Sequence, residues 1–132
     1  MARFRYCRDP LFLLGCAAYA VNRWGLKPHV HSDFLHGYFN DLWLMPCALP
    51  PILWLHRNLG LRAHDGVPGV GEILSHLIFW SVLFEYIGPK FMPSTTGDPW
   101  DVVAYCVGGV VAGVWWHRSR FLPAQRRLAH EL

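Results

Sequence analysis

Three carboxylates and one arginine stand inside or against apolar runs of this chain, at matched distances from flanking charges. Arg23 follows Arg8 by fifteen residues, Asp41 precedes Arg57 by sixteen, Glu85 follows Glu72 by thirteen and Asp101 precedes Arg118 by seventeen. At about 1.5 Å of helix rise per residue these separations are about 20–25 Å. Helices anchored at a common level would therefore gather the four groups in one layer. A charge at the centre of a membrane helix costs about 2.5–3.5 kcal/mol, less near the interface, so such groups face the bundle interior, pair, or mark a site. The chemistry available to them is proton exchange or electrostatic capture of a polar headgroup. His36 and Asn40 stand four residues apart and share a face if that stretch is helical, while Lys90 lies beyond Glu85. The candidate cluster is Arg23, His36, Asn40, Asp41, Glu85, Lys90 and Asp101. In it Arg23 or Lys90 would hold an anionic group and His36 would carry a proton.

Plainer roles compete for the same residues. Glu85 and Asp41 would equally serve to snorkel to the interface or to neutralise Arg23. Asp98-Pro99-Trp100-Asp101 has the pattern of a helix start, with Asp98 as N-cap, Pro99 at the first position and Asp101 in the first turn. Glu72 and His76 read as a local pair four residues apart. His29, His31 and His36 do not have zinc-ligand spacing, so neither a metal nor a cofactor is expected. Cys7, Cys16, Cys47 and Cys106 form no C-x-x-C pair, and structural disulfides are not expected. Nucleophile elbow, P-loop and H-E-x-x-H motifs are absent, so the sequence assigns no reaction.

The elements that must position the cluster are four apolar segments, at about 10–26, 38–57, 72–89 and 101–117. Over 132 residues, 53% are apolar and only 16% charged, too few charges for an ordinary soluble surface. The net charge of +3 comes with no basic stripe interleaved with aromatics, which disfavours a nucleic-acid partner. The expectation is a single all-α domain, a four-transmembrane-helix bundle with a basic C-terminal tail over 118–132. Pro46, Pro50 and Pro51 predict a kink in the second helix.

Orientation follows from the basic residues. Arg3, Arg5, Arg8, Arg57, Arg62, Arg118, Arg120, Arg126 and Arg127 fall on one side of such a bundle, against Arg23, Lys27 and Lys90 on the other. Nine against three predicts both termini in the cytoplasm of a multi-pass protein of the bacterial inner membrane. Gly108, Gly109, Ala112 and Gly113 form overlapping small-residue patterns, for close helix contact within the bundle or with a second protein.

The second half of the chain resembles the VanZ-like group of small bacterial membrane proteins. Glu85 corresponds to a glutamate ending the penultimate helix of that group, Asp101 to an aspartate opening the last helix, and Gly108 to a glycine that follows it. HGYFNDLW resembles the family's earlier polar helix opening, placing His36 and Asp41 in correspondence. Tyr105 stands where the family has asparagine, and the glutamine and arginine usual near the two acids are missing. The resemblance implies a compact helical bundle of the cell envelope with an outward-facing polar site, and the first expectation for that site is binding of a lipid or cell-wall-precursor headgroup. Membrane lipids would be its partners. The alternative is a non-catalytic accessory subunit, docking in a homo-oligomer or a larger membrane complex through the glycine face and the basic tail. A transporter is disfavoured, because no polar track crosses the lower half of the last two helices.

Overall fold

The computed structural model describes residues 3–94 and 97–130, and every regular element among them is helical. A 3-10 turn at Tyr6–Arg8 leads into α1 (Pro10–Ala20), which continues through a widened turn, Val21–Leu26. Next come α2 (Asp33–Gly37), α3 (Phe39–Leu42) and α4 (Leu44–Asn58). α5 (Val70–Ser81) passes through a second widened turn, Val82–Ile87, into α6 (Gly88–Phe91). The long α7 (Pro99–His130) closes the chain.

All four apolar segments are helical, with three departures from expectation. The second segment breaks at Trp43, between α3 and α4, while α4 runs on through Pro50 and Pro51. α2 forms where a loop was expected, capped by the Ser32 side chain. The expected separate tail at 118–132 is, as far as His130, a continuation of α7. Both widened turns have a local cause. Pro28 and Pro89 each lack the N–H that would close an ordinary turn, and a proline ring crowds the carbonyl four residues back. The backbone answers with wider loops, Lys27 N–H bonding Asn22 O and Gly88 N–H bonding Leu83 O, each spanning five residues.

α4 lies at the centre. Its Met45, Leu49 and Leu53, four residues apart, are fully buried. α1, α5 and α7 all pack against α4, and α5 and α7 pack against each other. α7 turns Ala104, Gly108, Ala112 and Trp116 inward at the same spacing. Gly108 lies against the Leu42 backbone, and Gly109 and Gly113 lie against Ile73. The small-residue face is thus used within the chain.

One end is a polar clasp. Asp9 caps α1 by accepting from Leu11 N–H at 3.0 Å and also accepts from Trp116 Nε1 at 3.1 Å. Arg62, only 4% exposed, donates to both Glu72 oxygens at 2.7 and 3.0 Å, to the Tyr6 hydroxyl at 3.0 Å and to the His64 carbonyl at 3.0 Å. Glu72 therefore pairs with Arg62, not His76, whose ring bonds the Glu72 backbone carbonyl at 2.7 Å. Tyr6 is held at φ +51°, a costly backbone state that its hydroxyl contacts to Asp65 and Arg62 stabilise. Hydrogen bonds from Tyr6 and Arg57 hold the Asp65 carboxyl below its ordinary range, while burial and that same contact push the Tyr6 phenol up.

The outward faces are apolar. Leu14 and Trp24 on the α1 arm, Ile78 and Phe79 on α5, and Val110 and Val114 on α7 are all more than half exposed. Among the described residues one helix, Val70–Phe91, is long and apolar enough by length and composition to cross a membrane, and only 6% of its most apolar window is buried.

Candidate functional site

The opposite end of the bundle holds Asp41, Glu85, Asp98 and Asp101. Glu85 sits in the widened turn before Pro89, which offsets its side chain from the straight helix face. Its Oε2 accepts from the Asp98 backbone N–H at 2.7 Å and its Oε1 from the Tyr105 hydroxyl at 3.0 Å. Asp98 also performs the predicted cap, accepting from Trp100 N–H at 3.0 Å and from the Tyr38 hydroxyl at 2.9 Å. Asp101, two residues inside α7, turns from capping towards Asp41 of α3, and their carboxyl groups are in hydrogen-bonding contact. Gly97 fits against the Glu85 backbone carbonyl, bringing the start of α7 up to this turn.

Asn40, Asp41, Glu85, Asp101 and Tyr105 together line a cavity of about 530 Å³. Its remaining wall is apolar and aromatic, with Tyr19, Trp43 and Phe84 among its members. The expected convergence of Asp41, Glu85 and Asp101 from separate helices is therefore present, and Asn40 joins them.

The basic members of the predicted cluster stand elsewhere. Arg23 is exposed, and among the described residues it forms no ion pair, so it does not neutralise the acids. Its neighbour Asn22 turns inward instead, fully buried, donating to Leu35 O at 2.9 Å and Asn40 Oδ1 at 3.0 Å. Lys90 lies over the Tyr86 ring with Nζ 3.9 Å from its centroid. His36 is exposed and bonds the Val30 carbonyl at 3.1 Å. The helix break at Tyr38 separates it from Asn40, so the two do not share a face. Lys27 donates to the His36 carbonyl at 3.0 Å. Among the described residues no group of three His, Cys, Asp or Glu side chains is placed to hold a metal ion.

Two site residues escaped the sequence reading. Tyr105 lies four residues after Asp101, a spacing that puts both on one helix face. Asn22 is a polar residue at the end of an apolar run, overshadowed by the charge beside it. Comparison with family models, with curated proteins and with solved structures gave no match to the chain. Its class rests on its own geometry: a small all-helical bundle with apolar outer faces, a polar clasp at one end and an acid-lined cavity at the other.

Proposed function

We propose that this is a multi-pass protein of the bacterial inner membrane, of VanZ-like type, whose acid-lined cavity binds a lipid or cell-wall-precursor headgroup. The four passes are the α1 arm, α2 to α4, α5 to α6, and α7, with both termini in the cytoplasm. The observation that carries the reading is the meeting of Asp41, Glu85 and Asp101 around one cavity, in a bundle whose outer faces are apolar. Water would penalise those faces and a lipid environment would not. α5 and α6 together span about 33 Å, enough for a hydrocarbon core of about 30 Å. The other arms carry their polar residues inward or at the ends, which is how shorter or more polar helices are tolerated in a bundle. Binding, and no reaction, is assigned.

Two measurements test this. Topology reporters placed after residues 30, 65 and 118 should read outside, inside and inside; a chain released from membranes by carbonate would end the membrane reading. Lipid retained by the purified protein in nanodiscs should fall when Asp41, Glu85 and Asp101 are changed to Asn, Gln and Asn. Unchanged retention in a folded triple variant would remove the headgroup site. The accessory-subunit alternative draws on the exposed faces of α5 and α7, since the glycine face is occupied within the chain.

A further inference from the structure

The cavity has a surplus of one kind of hydrogen-bonding capacity. Among the described residues its ionisable acid groups are carboxyls, and no Lys, Arg or His lines it. The two donors that face the Glu85 carboxylate, the Tyr105 hydroxyl and the Asp98 N–H, are already engaged on it. Acceptors are in excess. Each carboxylate offers about four lone-pair sites, of which Glu85 uses two and Asp41 and Asp101 share one contact. Asn22, fully buried and bonded to Asn40, leaves its Oδ1 without a partner among the described residues.

This pattern selects by chemistry. A phosphate would meet like charge and, among the described residues, no lining cation to offset it. A compact metal ion needs convergent ligands, and these acids are spread around the wall without forming a metal-sized group among the described residues. An ammonium group offers three N–H donors, no acceptor and the missing positive charge. Tyr19, Trp43 and Phe84 add ring surfaces of the kind that hold cations, each favourable contact contributing about 0.5–2 kcal/mol.

We propose that the headgroup taken by this cavity is a primary amine, an ammonium borne on an aminoethyl lipid headgroup or on an amino sugar. The proposal rests on the headgroup reading above and narrows it.

Native mass spectrometry of the full chain in maltoside micelles tests both. The probes are phosphatidylethanolamine, phosphatidylglycerol with the same acyl chains, and glucosamine as competitor. The expected result is about tenfold tighter binding of the ethanolamine lipid than of the glycerol lipid, the scale of one added cation contact. In Glu85→Gln and Asp101→Asn that preference falls to about twofold or less. Displacement by glucosamine points to an amino-sugar source, and its failure beside ethanolamine preference points to the lipid; either supports the amine. Equal or tighter binding of phosphatidylglycerol by the wild type, still weakened by the acid substitutions, overturns the amine and leaves the headgroup reading standing. Binding of neither lipid nor sugar removes both. The wild-type comparison decides the amine even if a variant does not fold.

Discussion

Gly108→Ala offers a test of the contact between α3 and α7, because helix propensity and packing predict opposite signs. In an unobstructed helix, replacing glycine by alanine gains about 1 kcal/mol. At Gly108 the new methyl would overlap the Leu42 carbonyl oxygen and stand 2.9 Å from that carbonyl carbon. Carbon atoms in contact prefer about 3.5–4.0 Å, so one helix must move by roughly 1 Å. The obstacle is backbone, with no rotamer to yield. Overpacking costs about 1–3 kcal/mol, and against backbone that cannot yield it falls at about 2–3, so after the propensity gain the net loss is about 1–2 kcal/mol. Gly71, on α5, supplies the control, because a methyl there meets nothing within 4 Å. Followed by helical circular dichroism in one detergent, Gly108→Ala should melt about 3–10 °C below the wild type. Gly71→Ala should melt at or slightly above it. A Gly108→Ala protein as stable as the control would refute the backbone contact. The cavity should register the shift as well, since α3 carries Asn40 and Asp41 while α7 carries Asp101 and Tyr105.

Three further outcomes follow from named contacts. Asp65 has a depressed pKa from the Tyr6 and Arg57 hydrogen bonds, so its stabilisation is full above the unfolded value of about 3.9 and fades as pH falls through that value towards the folded one. Melting temperatures against pH should therefore drop less steeply on the acid side in Asp65→Asn, and identical slopes would count against the contact. Arg62→Met strands Glu72 and the carbonyls beside it; with the Glu72 side chain 26% exposed, the loss should be about 2–3 kcal/mol, below that of a fully buried pair, and Arg62→Lys should recover little because it cannot fork to both oxygens. Tyr105→Phe deletes one of the two donors to Glu85 and should cost about 1.5 kcal/mol in denaturant unfolding; no measurable loss would mean that the hydroxyl does not support Glu85.

Several features were legible in the sequence because local chemistry dictates them. Asp98 followed by Pro99 starts α7 whatever packs around it, since a side-chain acceptor and a fixed φ suffice. The four apolar segments became helices, and the level of Asp41, Glu85 and Asp101 could be counted because helix rise is nearly constant. The proline effects were placed less well. Pro50 and Pro51 are carried inside α4, whereas Pro28 and Pro89 widen the turns before them, at the level of the polar layer. Nothing in a proline's sequence neighbourhood tells which freed carbonyls will find another donor.

The residues by themselves determined an all-helical chain with Asp41, Glu85 and Asp101 at a common level. Tertiary structure alone decided which side chains face one another there. Along a helix each residue adds about 1.5 Å of depth but also turns by about 100°, and a widened turn changes that angle again. Arg23 and Asn22 share a depth, yet Asn22 points into the bundle and Arg23 away from it. Lys90 and His36 are likewise near the acids along the chain and apart from them in space. The result is a cavity lined by acids with no basic residue, a balance that only the packing of α3, α7 and the turn around Glu85 could set.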